Sequence, residues 1–179
     1  MNVNDSDHSY FGMWNDSPQV NRNYFWINFT QGVQTLFMDP YVVHYPREDR
    51  NLPPSPVNGI GSGPDARWDP VRDTMGYIRS YADRMNLAAL TPRGELLSTG
   101  HALANTRSPH PEFLVYAPSG GTFTVNLSGL SGRFAVEWMD PKTGVKTAGE
   151  DVSGGATSTF TPPFSGDAVL YLKGERKMI

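Results

Sequence analysis

The chain has 179 residues, a net charge of −3 and no cysteine. Its length suits one domain or two small ones, and it is too short for a complete (β/α)8 barrel of about 250 residues. The lack of cysteine excludes disulfides, thiolate metal sites and a cysteine nucleophile. The mild charge argues against a nucleic-acid-binding surface, and the many aromatic residues argue against a disordered chain.

The termini and hydropathy suggest neither a membrane span nor a leader. No run of about 18 apolar residues is present, so we expect no membrane-spanning helix. The segment after Met1 lacks a basic stretch followed by an apolar core, so we expect no signal peptide in this chain. The localisation stays open from the residues alone.

The first half of the chain reads as helix, strand, long loop and helix. Ser17-Pro18 is a helix start, and the aromatic run that follows predicts a helix ending near Gly32. Residues 35–38 predict a short buried strand, and residues 45–68 predict a Pro- and Gly-rich loop. Asp69-Pro70 begins a second amphipathic helix, whose apolar positions continue to residue 89.

The second half reads as strands and turns, with a domain boundary at residues 91–94. The strands are expected at residues 96–104, 113–116, 122–127, 134–139, 145–148, 157–160 and 168–173. Short strands with turn residues every eight to twelve positions predict a β-sandwich or barrel. Tyr116, Trp138 and Tyr171 are expected in its core, which leaves no aromatic platform for a sugar ring.

Motifs in both halves resemble those of one enzyme family. Residues 35–41, which include Phe37-Met38-Asp39-Pro40-Tyr41, resemble the last barrel strand of the apiosidase-like glycoside hydrolases. Residues 4–8 resemble the Asp-Thr-Asp-His motif that ends an earlier barrel strand of that family, with Ser6 in place of Thr. Residues 72–173 resemble its last barrel helix and C-terminal sandwich, the latter known by a collagen-binding label, through pieces such as residues 91–95 and 160–164.

The resemblance implies an α+β chain in which the last βα units of a (β/α)8 barrel precede an antiparallel β-sandwich. Residues 1–93 would be a truncated C-terminal barrel segment, and residues 94–179 the sandwich domain. A barrel segment without its other strands would leave the aromatic helix and the Met38 strand with exposed apolar faces. We therefore expect an apolar patch that favours self-association.

The candidate site residues follow the two predicted barrel strands. Asp7, His8 and Asp39 would lie at the carboxyl ends of strands, where barrel enzymes place their carboxylates. The resemblance implies that they line a sugar site together with Trp14 and Tyr41. The strand that supplies one of the catalytic pair is expected to be absent, so no catalytic residue is assigned. Read alone, Asp39 better suits a cap for the following turn, and the resemblance makes the two interpretations equal.

Metal and cofactor sites are not predicted. Asp5, Asp7 and His8 have the residue types of a divalent-metal site, but Asp-rich segments near a terminus more often form hydrogen-bonded turns. His44, His101 and His110 stand alone in the sequence. No Gly-x-Ser-x-Gly motif of a serine hydrolase is present.

These observations leave three functions open. The leading hypothesis is a C-terminal portion of a glycoside hydrolase, not catalytic alone, whose sandwich supports the barrel and contacts a polysaccharide or oligosaccharide. The second is an adhesion module that binds glycan or a collagen-like protein. The third is a subunit that needs another chain to complete the barrel. For the parent enzyme, the resemblance implies secretion or a periplasmic location.

Overall fold

A computed structural model of the chain describes residues 3–5, 18–36, 69–107 and 109–174. The described part is mostly antiparallel β-sheet with two helices, which confirms an α+β chain with a β-sandwich. The predicted 45–68 loop lies outside the described residues.

The first elements form a strand–helix–strand unit. They are β1 (Val3–Asp5), α1 (Pro18–Thr30) and β2 (Gln34–Leu36). The two strands pair in parallel, with Asp5 opposite Leu36. Parallel neighbours need a crossover connection, and α1 provides it here. The predicted helix is confirmed, and β2 begins one residue before the predicted strand.

The second helix, α2, covers Asp69–Ala82 and is followed by a short 3-10 helix at Leu87–Ala89. Val71, Thr74 and Tyr81 are its buried residues. The prediction that the helical face continues to residue 89 was wrong, because the chain turns after Ala82 and packs against the sheet. The start at Asp69 is confirmed.

Nine strands follow. They are β3 (Thr91–Pro92), β4 (His101–Asn105), β5 (Glu112–Ala117), β6 (Phe123–Asn126), β7 (Arg133–Met139), β8 (Lys146–Ala148), β9 (Val152–Ser153), β10 (Thr157–Phe160) and β11 (Ala168–Gly174). Seven of them form one sheet in the order β3-β4-β5-β11-β7-β8, with β9 also paired to β7. The remaining two, β6 and β10, form a small antiparallel sheet.

The start of β4 corrects the strand predicted over residues 96–104. Residues Gly94–Leu96 form a 3-10 turn, and β4 begins at His101. Gly100 precedes it with a φ of +97°, and a Cβ at this position would lie 2.7 Å from the carbonyl oxygen of Tyr116. The backbone therefore needs glycine where it turns into the sheet. The short strand β9 was not predicted.

The seven-stranded sheet is covered on both faces. On one face, alternate residues of its strands pack against β6 and β10, and Phe113 and Trp138 lie in this core. On the other face, Leu114, Tyr116 and Tyr171 pack against α1 and α2. The prediction that Tyr116, Trp138 and Tyr171 are core residues is confirmed.

The expectation of an exposed aromatic helix was wrong for the described part of α1. Phe25 is 2 % exposed and Trp26 is 0 % exposed. Trp26 stacks on Tyr116 of the sheet, with ring centroids 5.9 Å apart, and Phe25 packs with Val71 of α2. The sandwich itself covers the face for which a missing partner was expected. Met38 lies outside the described residues.

Candidate functional site

The five predicted sugar-site residues lie outside the described residues. Asp7, His8 and Trp14 follow β1 in the sequence, and Asp39 and Tyr41 follow β2. The parallel pairing puts the carboxyl ends of both strands at one edge of their small sheet. In the sequence the candidates thus follow two strand ends that lie at the same edge, and their role stays a prediction.

A buried ion pair joins α1 to the sandwich. The Arg22 guanidinium donates two hydrogen bonds to Asp167, from Nε at 2.9 Å and from Nη2 at 3.0 Å. Asp167 lies just before β11 and also accepts a hydrogen bond of 3.1 Å from the Tyr116 hydroxyl. The side chains of Arg22 and Asp167 are 9 % and 4 % exposed. This arrangement fixes the first helix on the sheet.

A second polar cluster lies where α2 ends. Arg84 donates two hydrogen bonds to the Glu137 carboxylate, one of them from Nη1 at 3.0 Å, and the Tyr81 hydroxyl donates another at 2.9 Å. The guanidinium carbon lies 4.3 Å from the centroid of the Tyr81 ring and 4.4 Å from that of Tyr171. Arg84 thus combines a bidentate ion pair with cation–π contacts to two rings.

Glu112, at the start of β5, holds the turn of the chain that follows α2. Its carboxylate accepts a 2.5 Å hydrogen bond from the Tyr171 hydroxyl and a 3.3 Å bond from the backbone N–H of Asn86. Glu112 and Glu137 therefore fix the chain that follows α2 from two sides. These contacts explain why the helix stops at Ala82 instead of continuing along its apolar pattern.

The environment of this cluster shifts several pKa values. Burial raises the pKa of the Tyr81 and Tyr171 hydroxyls, and the carboxylates that they bond add to the rise. Burial also raises the pKa of Glu137, but the hydrogen bonds from Arg84 and Tyr81 outweigh it and hold that pKa below its ordinary value. The ion pair is therefore charged at neutral pH.

A groove opens beside the Arg84 cluster on the helix-facing side of the sheet. It consists of two adjoining cavities of about 350 Å³ and about 480 Å³, which share Arg84 and Lys173. The smaller cavity extends over β7 and β8 to Lys146, and the larger one extends to Arg107 and His110. This is a surface where a small polar ligand could make several contacts.

Sequence reasoning missed this groove. Glu137 is visible as the outward residue between Val136 and Trp138, but its partner Arg84 lies 53 positions away. Tyr81 of α2 is buried under the Arg84 guanidinium, a contact that the apolar pattern of the helix does not indicate. The Lys173 and Arg107 positions carry no local pattern that would have joined them.

Metal and membrane features can be assessed for the described residues. Among them, no group of three or more His, Asp or Glu side chains is placed to hold a metal ion. His101 contacts Gln31, with 3.3 Å between Nδ1 and Nε2, and burial lowers its pKa. Within the same part of the chain, no helix is both long and apolar enough to cross a membrane.

Comparison with known proteins supports the sandwich assignment. Residues 94–173 match the protein family described as "Putative collagen-binding domain of a collagenase". No curated protein matches the chain by sequence. The matched residues extend from the 3-10 turn before β4 into β11, so they contain both sheets of the sandwich except β3.

Two solved structures share the fold. One is a family 5 glycoside hydrolase from Bacteroides vulgatus ATCC 8482, with a TM-score of 0.60 and 17 % identity over 89 % of this chain. Another, named glycoside hydrolase, has a TM-score of 0.51 and 17 % identity over 66 % of this chain. This chain covers 36 % and 29 % of those two chains, so it spans about a third of their length.

Proposed function

We propose that this chain is the C-terminal portion of a carbohydrate-active glycoside hydrolase, in which the β-sandwich is an accessory domain. Residues 1–93 would derive from a (β/α)8 barrel of the apiosidase-like type, and residues 94–179 would form the accessory domain. The observation that carries the proposal is the fold match that covers 89 % of the chain. The fold match therefore covers more of the chain than residues 94–173, and so it includes residues that precede the sandwich.

The packing of α1 and α2 supports a role in holding the barrel-derived part. Both helices lie on the outer face of the seven-stranded sheet and bury Trp26, Tyr81 and Tyr116 between them and the strands. The Arg22–Asp167 pair adds directional contacts to this apolar helix–sheet interface. A sandwich held to the helices in this way can orient β1 and β2, which precede the predicted sugar-site residues in the sequence.

The chain alone is proposed not to be catalytic. Glycoside hydrolysis commonly needs two carboxylates on either side of the bond, and the barrel strand that supplies one of them is expected to be absent from this chain. We expect that the purified chain releases no reducing sugar from plant cell-wall polysaccharides but is retained on one or more of them in their insoluble form. Sustained turnover would contradict the non-catalytic role.

A second candidate function rests on the description of the matched family, which names collagen. A co-sedimentation assay with fibrillar collagen and with insoluble polysaccharides separates the two. Retention on collagen alone would favour an adhesion module. Retention on polysaccharide alone would favour the accessory role. Retention on neither would leave the sandwich with the supporting role only.

A further inference from the structure

The groove beside Arg84 has the size and position of a ligand site. Its two cavities, about 350 Å³ and about 480 Å³, fall in the range of about 300 to 1,000 Å³ that is typical of small-molecule sites. They adjoin on the helix-facing side of the sheet, beyond the end of α2. A ligand lying along the groove would contact both the Lys146 end and the Arg107 end.

The charge of the groove is opposite to that of the whole chain. Four cationic side chains line it (Arg84, Arg107, Lys146 and Lys173), against the two carboxylates Glu112 and Glu137. The complete chain has a net charge of −3. The positive charge is therefore a local property of this surface.

Both carboxylates of the groove already have donors. Glu137 accepts hydrogen bonds from Arg84 and Tyr81, and Glu112 accepts them from Tyr171 and the Asn86 backbone. By contrast, neither Arg107 nor Lys173 forms an ion pair with any other residue that the structure describes. The charged groups of the groove that remain available to a ligand are thus positive.

Hydrogen bonds of Asn105 hold the backbone of Arg107 at the larger cavity. The backbone N–H of Arg107 donates to the Asn105 side-chain oxygen at 3.0 Å, and the Asn105 amide donates to the His110 carbonyl at 3.1 Å. Lys173 projects from β11, which pairs with β5 and β7 on its two sides. Both cations therefore stand on ordered backbone at the rim of one groove.

We propose that this groove binds the carboxylate of a uronic acid residue in an acidic polysaccharide. The inference rests on the proposed function, which supplies a glycan as the ligand, and the geometry selects an acidic one. Guanidinium and ammonium groups form charge-assisted hydrogen bonds with a carboxylate. Neutral sugars lack a charged partner for these cations. Nucleic acid fits less well, because single-strand binders stack bases on exposed aromatic faces, whereas the tyrosine that lines this groove, Tyr171, is 4 % exposed.

The test measures binding of a short oligogalacturonate to the full chain by titration calorimetry. The Arg107→Gln/Lys173→Gln double variant is compared with Arg79→Gln/Lys142→Gln, which removes the same two charges at exposed positions outside the groove. We expect the groove variant to bind about tenfold more weakly or worse, and the control variant to match the unchanged chain. A neutral cello-oligosaccharide is expected to bind more weakly than the oligogalacturonate.

Three results would overturn the inference. Equal affinities of the two double variants would mean that the groove does not bind the acid. Equal affinity for the neutral oligosaccharide would remove the role of the carboxylate. Equal binding of a short DNA oligonucleotide, with the same loss in the groove variant, would indicate a surface for any polyanion.

Failure here can be separated from failure of the proposed function. If the oligogalacturonate does not bind but the chain is still retained on an insoluble neutral polysaccharide, only the uronate site is wrong. If the chain is retained on no polysaccharide and binds no oligosaccharide, glycan contact itself is wrong. Both variants must keep the melting temperature of the unchanged chain, which is expected for exposed residues.

Discussion

The two faces of the seven-stranded sheet differ in chemistry although they share the same strands. The face toward β6 and β10 is an apolar core, with Phe113, Trp138 and Leu170 among its buried residues. The face toward the helices adds buried polar groups to its apolar contacts, above all the Arg22–Asp167 pair. Strand β5 carries both sets, because Leu114 and Tyr116 alternate with the core residues.

This difference separates what holds the sandwich together from what attaches the helices to it. The apolar core can form from many arrangements of similar volume. The helix-facing side instead fixes position and angle, because ion pairs and tyrosine hydroxyls are directional. A supporting role for the sandwich needs the second kind of contact, and four substitutions test whether the two faces are separate.

The largest loss of stability is expected from a substitution on the face toward β6 and β10. Phe113→Ala removes a ring that is fully buried against Phe134 in a T-shaped contact. We expect a loss of about 3 to 5 kcal/mol in the free energy of unfolding, measured by urea denaturation, with helices and sheet unfolding together. Val145→Ala, at an exposed position, is the control and should change stability little. A small effect of Phe113→Ala would contradict the assignment of this core.

A comparable but local effect is expected from the helix-facing side. Asp167→Ala removes the carboxylate that accepts two hydrogen bonds from the buried Arg22 guanidinium, at an expected cost of about 3 kcal/mol. Circular dichroism during heating should show loss of helix before loss of sheet. The matched control is Asp151→Ala, which breaks the more exposed Arg133–Asp151 pair and should cost less than about 1 kcal/mol. Equal costs for the two variants would mean that Asp167 is no anchor.

A smaller and pH-dependent effect is expected at the Arg84 cluster. Glu137→Gln removes the charge that Arg84 and Tyr81 contact, and we expect a loss of about 1 kcal/mol at neutral pH after allowance for solvent. The folded-state pKa of Glu137 is depressed, so its contribution is complete above the ordinary value of about 4.3 and is lost as the pH falls below it.

Urea denaturation at several pH values checks the direction of this pH dependence. The stability difference between the unchanged chain and Glu137→Gln should be full at pH 7 and should shrink as the pH falls below the ordinary carboxyl pKa. A difference that grows under acid would contradict the lowered pKa of Glu137.

The smallest effect is expected at the exposed i,i+4 pair of α2. Arg79 lies four residues before Asp83 and donates to it at 2.6 Å. Arg79→Ala should cost less than about 0.5 kcal/mol, because both side chains are solvated. Thermal denaturation against the unchanged chain measures it. A loss of stability as large as that of Asp167→Ala would mean that solvent exposure does not explain why the two ion pairs contribute differently.

Local patterns predicted the strands and turns of the second half well. The strand predicted at residues 134–139 matches β7 to within one residue, and the Asp69-Pro70 pair identified the start of α2. These features depend on neighbours in the sequence, because capping and side-chain alternation are set within a few residues.

Contacts between distant segments could not be predicted in the same way. Arg22 and Asp167 are 145 positions apart, and nothing near either residue points to the other. The end of α2 was misplaced for the same reason, since Glu137 and Glu112 of the sheet hold Arg84 and Asn86. The aromatic face of α1 was read as exposed because the sequence did not show that the sheet has a second apolar face.

Native-state hydrogen exchange of the Asp167→Ala variant tests most directly whether the sandwich supports the helices. Amide protection reports the free energy of opening for each segment. If the sandwich is a separate support, the α1 amides should exchange much faster than in the unchanged chain, while β5 and β11 keep their protection. Equal loss of protection in α1, β5 and β11 would show one cooperative unit and would contradict this account.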